Sequence, residues 1–84
     1  MVSKKGKNIA LVVYDHEFNS MPYLTEVLRM ALGYHITQAG NCAHIITNVG
    51  KYRVKVFKPK EMEKAKAILE ILSAQEVPAE LLFI

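Results

Sequence analysis

A continuous apolar run, Ile9 to Tyr14, stops abruptly at a polar segment that leads into an amphipathic helix. A run this rich in β-branched residues is typical of a strand that is covered on both faces or nearly so. The segment after it, Asp15 to Ser20, is acidic at its start and ends in residues that accept hydrogen bonds from helix amides. This junction places carboxylates beside an apolar helix face. Such a pairing suits a small cationic group attached to an apolar one, as at the α-amino terminus of a peptide.

The helix after this loop is predicted to begin near Met21, because Pro22 suits a first helical turn and apolar residues then recur at helical spacing. Gly33 is the predicted left-handed stop. The inner stripe of this helix is Met21, Leu24, Val27, Leu28, Ala31 and Leu32.

A second helix is predicted from Thr37 to about Thr47, and Gly40 weakens it because glycine costs about 1 kcal/mol relative to alanine inside a helix. A second strand, Lys51 to Lys58, follows, and its alternation places Tyr52, Val54 and Val56 on one face. The third helix is predicted from Lys60 to Ala74 and a last strand from Glu80 to Ile84.

The resulting order is β-α-α-β-α-β, which predicts a single α+β domain with a three-stranded sheet and helices on one face. The sequence leaves the strand order open. We expect residues 1–8 to be a mobile, lysine-rich tail and residues 9–84 to form the domain.

The chain of 84 residues is 51% hydrophobic and 23% charged, enough for one modest core. Cys42 is the only cysteine, which excludes an internal disulfide and fits a reducing compartment. The basic start contains no apolar run long enough for a signal peptide or a membrane span, so we expect a cytoplasmic protein.

The net charge of +3 does not predict nucleic-acid binding, because no aromatic or glycine pattern of an RNA-binding module accompanies the lysines. Arg53 and Lys55 fit the solvated side of a half-buried strand. No metal or other cofactor is predicted, since Cys42 and His44 are two residues apart on a helix and do not converge. The same geometry argues against an enzyme that uses Cys42 as a nucleophile.

The loop and helix junctions resemble the ClpS adaptor family over about Ile9 to Ala74. That family carries an Asn-Asp-Asp loop after its first strand, then a helix-opening Met and an acidic-Val-Leu ending. The corresponding residues here are Asp15, His16 and Glu17, then Met21, then Glu26, Val27 and Leu28. The family's Val-His pair before a Gly-Lys turn has as its counterpart Ile46 and Thr47 before Gly50 and Lys51.

The resemblance implies a non-enzymatic adaptor that binds the amino-terminal residue of N-degron substrates and delivers them to a Clp AAA+ ATPase through that ATPase's N-terminal domain. The implied binding residues are Asp15, His16, Glu17, Asn19, Met21, Leu24, Ala43, Ile46 and Thr47.

Two of these residues depart from the family pattern. Ala43 replaces a bulky methionine that gates the cavity, and Thr47 replaces the histidine that contacts the α-amino group. With Asp15 compensating for the histidine, the protein is expected to keep terminus recognition with retained or altered preference. The alternative is a degenerate ClpS-like scaffold that binds other proteins without a terminus pocket.

Overall fold

The computed structural model describes residues 7–84, which form three strands and three helices. The strands are β1 (Ile9–Tyr14), β2 (Lys51–Phe57) and β3 (Ala79–Phe83). The helices are α1 (Met21–Leu32), α2 (Ile36–Val49) and α3 (Met62–Ala74), the last preceded by a single 3₁₀ turn at Pro59–Glu61. Residues 1–6 of the predicted tail lie outside the described part, and Lys7 and Asn8 are exposed.

The sheet has β1 in its centre, with β2 and β3 each antiparallel to it. The predicted α+β fold with its β-α-α-β-α-β order is therefore confirmed, and the strand order left open by the sequence is β2-β1-β3. No helix within residues 7–84 is long and apolar enough to cross a membrane.

The core lies between one face of the sheet and the three helices. Ile9, Leu11 and Val13 point into it from β1, which is why the central strand is apolar in sequence. Buried residues of all three helices complete the core, namely Leu24, Val27, Leu28, Ala39, Cys42, Ala43, Ile46, Ala65, Ile68 and Leu72. Burial of these side chains supplies most of the driving force for folding, at roughly 1.5–3 kcal/mol for each large one.

The simple alternation predicted for β2 is wrong. Val54 is buried in the core, whereas Val56 lies opposite Ala10 and is partly exposed on the other face of the sheet. The cause is a break in register between Leu11 and Val12, where β2 carries an extra residue. A bulge of this kind places two residues of one strand opposite one of its partner and therefore shifts the facing pattern by one.

The ends of α2 also differ from the prediction. His35 caps the helix with its own side chain, because Nδ1 accepts a hydrogen bond from the amide of Thr37 at 3.2 Å. At the other end the helix continues to Val49 and stops at Gly50, whose φ of 104° lies in the left-handed region. Histidine is not a common helix cap, so the residue pattern does not indicate a helix start at Ile36.

Candidate functional site

The loop between β1 and α1 begins beside the last turn of α2. The amide of Asp15 donates to the carbonyl of Gly50 at 2.8 Å, and the amide of Gly50 donates to Ile46 at 2.8 Å. Two consecutive backbone contacts therefore hold Asp15 next to the helix end that carries Thr47. The structure thus brings the start of the predicted acidic loop to the predicted α2 residues.

A tight turn follows in the loop and is stabilised by His16. The carbonyl of His16 accepts from the amide of Asn19 at 2.9 Å, and its Nδ1 accepts from the amide of Phe18 at 3.2 Å. The ring of Phe18 lies 5.3 Å from that of His16 and is largely exposed at the tip of the loop. His16 therefore shapes the loop backbone, whatever else it contacts.

The far end of the loop is tied to the connection between α3 and β3. Asn19 donates through Nδ2 to the carbonyl of Glu76 at 3.1 Å, and the hydroxyl of Tyr23 donates to the carbonyl of Gln75 at 2.7 Å. Ser20 caps α1 by accepting from the amide of Tyr23 at 3.2 Å. The loop is thus held at both ends, by α2 on one side and by the α3–β3 connection on the other.

The apolar members of the predicted site belong to the core. Leu24, Ala43 and Ile46 are fully buried, so their side chains are out of contact with solvent. Met21, at the first residue of α1, is half-buried and packs against the same core. A guest side chain would reach Leu24, Ala43 and Ile46 only if the side chains that cover them moved aside.

The polar members are accessible. Asp15, Glu17 and Thr47 are exposed, and Asn19 is half-buried. The one ion pair between side chains of residues 7–84 joins Arg29 to Glu26 at 3.2 Å, so within that range Asp15 and Glu17 have no cationic partner. Asp15 and Glu17, which have no ion-pair partner within residues 7–84, therefore form an acidic rim on the loop that leads to Met21.

Two open clefts border the loop on the side of the connection between α3 and β3. One, of about 430 Å³, lies under Phe18 and is lined by Asn19, Tyr23, Ala74, Gln75 and Glu76. The other, of about 520 Å³, lies between α3 and the start of β3, with His16 and Glu76 at its border. Sequence reasoning missed Tyr23, Gln75 and Glu76, and no local pattern marks them, because their contacts with the loop join residues far apart in the chain.

The residues that could serve as a nucleophile or as metal ligands are poorly placed for those roles. Cys42 is buried, and burial raises the pKa of its thiol, which disfavours the thiolate that a nucleophile needs. His44 is exposed on α2 and contacts Asn48 of the next turn. No group of three or more metal-ligating side chains converges within residues 7–84.

The fold and the loop together define a small α+β domain with an acidic rim where the exit of its central strand meets two helices. A family model described as "ATP-dependent Clp protease adaptor protein ClpS" matches residues 4–81. The chain therefore belongs to the ClpS family, the adaptor proteins of the ATP-dependent Clp protease.

A solved structure supports the same fold. ClpS2 of Agrobacterium tumefaciens, bound in that structure to L-phenylalaninamide, superposes with a TM-score of 0.80 at 11% sequence identity. The match covers 93% of this chain and 98% of ClpS2. A comparison with curated proteins finds none that matches this chain.

Proposed function

We propose that this adaptor is not an enzyme and that it binds the amino-terminal residue of N-degron substrates at the exit of β1. The observation that carries the proposal is the position of Asp15, exposed and held by its backbone against the end of α2 that bears Thr47. An ammonium group at this point would have a carboxylate and a hydroxyl as acceptors. The ligand in the ClpS2 structure, L-phenylalaninamide, presents the same two groups, an α-amine and an apolar side chain.

Asp15 and Thr47 share the task that the family gives to a histidine. Thr47 can accept a hydrogen bond but reaches less far than histidine. A carboxylate adds charge to the interaction, and a hydrogen bond to a charged group contributes about 1.5–3 kcal/mol. Glu17 lies two residues further along the loop and adds to the negative potential of the rim.

Met21 is the proposed cover of the apolar part of the site. Methionine is unbranched and flexible, so its side chain can rearrange at low cost to admit a guest. Ala43 stands where the family has a methionine, and its smaller side chain leaves more room for a guest. Burying the first side chain of a substrate there would contribute roughly 1.5–3 kcal/mol.

A panel of fluorescent peptides that differ only at residue one tests this function. A peptide that begins with Phe or Leu should bind, and its N-acetylated form should not, because acetylation removes the ammonium charge. Fluorescence anisotropy measures both affinities. Equal binding of the two forms, or no binding of either, would contradict the proposal.

A charge reversal at Asp15 tests the acceptor directly. Asp15→Lys should weaken binding of the Phe peptide at least tenfold, equivalent to about 1.4 kcal/mol. Glu63→Lys is the matched control, since Glu63 is exposed on the first turn of α3 and lies outside the proposed site. An equal loss in both variants would mean that only overall charge matters.

Complete burial of Leu24, Ala43 and Ile46 favours a second candidate, a scaffold without a terminus pocket that docks proteins through the basic strand and third helix. In that case, Asp15→Lys should leave docking intact, whereas reversal of both Arg53 and Lys55 to glutamate should abolish it. Under the first proposal, Asp15→Lys should weaken binding of the peptide, whereas reversal of both Arg53 and Lys55 should leave that binding intact.

The proposed setting is the cytoplasm, and the proposed partner is the N-terminal domain of a Clp AAA+ ATPase. No cofactor, nucleic acid or membrane is part of the proposal. A pull-down with that ATPase domain, in the presence and absence of a Phe-initiated peptide, tests the partner separately from the peptide site.

A further inference from the structure

The sheet face that points away from the helices carries a flat apolar band. Ala10 and Val12 of β1 are buried but lie outside the core cluster, so their side chains belong to this second face. Ala10 pairs with Val56 of β2 on one side and with Leu82 of β3 on the other. Directly paired residues of neighbouring strands share a face, so these three residues form one row across the sheet.

A second row beside the first has opposite charges at its two ends. Val12 pairs with Arg53 of β2 and with Glu80 of β3. Neighbouring strands are about 4.8 Å apart, so the backbones that carry the two charged residues are about 10 Å apart, and no ion pair joins Arg53 to Glu80 in the structure. The face is therefore positive along its β2 side and negative along its β3 side.

Both charged groups have capacity for an outside partner. Arg53 is exposed and forms no ion pair within residues 7–84. Glu80 is half-buried and accepts a hydrogen bond from the hydroxyl of Tyr14 through one carboxylate oxygen. Within residues 7–84 the other oxygen accepts no hydrogen bond from a side chain, so it can accept from a guanidinium, which binds carboxylates well.

The shape of this face suits another flat surface. Val56 and Leu82 are 42% and 41% exposed, whereas Ala10 and Val12 between them are 1% and 7% exposed. The side chains of the outer strands therefore cover the central strand and offer most of the apolar surface on this face.

We propose that a second copy of this chain packs on this face, sheet against sheet, about a two-fold axis that runs parallel to β1. Rotation about that axis places β2 of one copy over β3 of the other. Val56 then meets Leu82 of the second copy, and Arg53 meets its Glu80, and each contact occurs twice. A two-fold axis across the strands would instead place β2 over β2 and lose this charge pairing.

The two-fold arrangement also agrees with the usual geometry of packed sheets. Sheets that pack face to face lie about 10 Å apart, with strand directions within about 30° of each other. An angle of that size displaces residues near the axis only slightly, so the two rows stay opposite their counterparts. The self-complementary contact closes after two copies and does not extend into a filament.

The dimer is expected to be weak. Three strands at about 4.8 Å and five residues at about 3.3 Å give a footprint of a few hundred Å². Standard interfaces bury about 800 Å² per partner, so this contact belongs to the small, transient class.

Sedimentation velocity from about 10 µM to about 1 mM tests the dimer, over the affinity range of small interfaces. The unmodified protein should show a concentration-dependent shift toward dimer. Arg53→Glu and Glu80→Arg should each weaken association at least tenfold, because each places like charges opposite one another at both contacts.

Mixing the two variants provides the decisive measurement. The first presents two carboxylates and the second two guanidinium groups, so an equimolar mixture should form a heterodimer although neither variant associates alone. The double variant, Arg53→Glu with Glu80→Arg, should recover the homodimer. A general effect of net charge would explain neither the heterodimer in the mixture nor the homodimer of the double variant.

Three controls separate this contact from other causes. Tyr14→Phe removes the hydrogen bond to Glu80 without changing charge and should keep the dimer. Lys66→Glu and Glu70→Arg make the same charge changes on exposed positions of α3 and should leave association unchanged. Circular dichroism checks that every variant is folded, and Val56→Lys, at an exposed position, should disrupt the dimer if a charge-swapped variant unfolds.

A protein that stays monomeric at about 1 mM overturns the proposal and leaves the face to a partner of different chemistry. A dimer that survives both single charge reversals also overturns it, because the copies would then associate through another surface, such as the free edge of β3. A variant mixture that stays monomeric overturns the proposed orientation of the axis.

Discussion

Two carboxylates show how differently acidic residues are used in this small domain. Glu61 accepts a hydrogen bond from the amide of Lys58 at 2.9 Å and closes the turn before α3. Asp15 makes its contact with Gly50 through its backbone amide, which leaves the carboxylate facing solvent. One acidic side chain therefore stabilises the local fold, while the other is available to a ligand.

The role of Glu61 predicts a pH dependence. The hydrogen bond to the Lys58 amide lowers the pKa of Glu61 below its ordinary value of 4.5, and the nearby cations of Lys64, Lys55 and Lys58 lower it further. The unfolded chain therefore binds more protons than the folded one in this range, so the contribution of Glu61 to stability is present above about pH 4.5 and is lost as the pH falls through the lowered pKa.

Glu61→Gln tests this dependence. Urea unfolding of both proteins should show that the native protein is more stable at neutral pH and that the difference shrinks on acidification below the ordinary pKa of Glu61. Glu63→Gln, two residues along, is the matched control and should show a smaller change. A difference between native protein and Glu61→Gln that is constant with pH would mean that the carboxylate is not what stabilises the turn.

At the scale of elements, one glycine lies inside α2 and another ends it, and the two are in opposite situations. Gly40 lies inside the helix, and a Cβ built there meets no atom within 4 Å. Gly50 ends the helix with a φ of 104°, a conformation that side chains rarely adopt. The first glycine weakens the helix without a packing reason, whereas the second is required by the backbone.

Two alanine substitutions should therefore shift stability in opposite directions. Gly40→Ala should raise the free energy of unfolding by about 0.5–1 kcal/mol, because it removes backbone entropy from the unfolded chain. Gly50→Ala should lower it by about 1–2 kcal/mol, since a left-handed residue with a Cβ is strained. Urea denaturation at neutral pH measures both, and a loss of stability in Gly40→Ala would reveal a contact that the helix geometry does not explain.

The elements also show what a sequence can predict here. The three helices and the central strand follow from apolar spacing, because one face of each must be buried. The bulge opposite Leu11 and Val12 does not follow from apolar spacing, because the apolar residues of β2 still alternate in sequence when the strand carries an extra residue. The helix cap by His35 is likewise a tertiary detail that propensity does not predict.

At the scale of the whole molecule, the candidate site and the core share residues. Leu24 and Ile46 were predicted to line a pocket, and in the folded chain they are fully buried among core residues. Sequence spacing does not separate these roles, because a pocket floor and a core occupy the same helix face. The exposed rim was accessible to sequence reasoning, whereas its support by Gln75 and Glu76 depends on contacts across 52 and 57 residues.

Truncation of Met21 and of Ile46 distinguishes a residue that covers the binding site from a residue that belongs to the core. Ile46→Ala should lower the free energy of unfolding by about 2–5 kcal/mol, as expected for a cavity in a packed core. Met21→Ala should cost less, because Met21 is partly exposed, and it should change the relative affinity for Phe-initiated and Leu-initiated peptides by opening the space above Ala43. Denaturant unfolding and peptide anisotropy measure the two effects. A loss at Met21 as large as that at Ile46, with unchanged peptide preference, would identify Met21 as a core residue and remove the proposed cover.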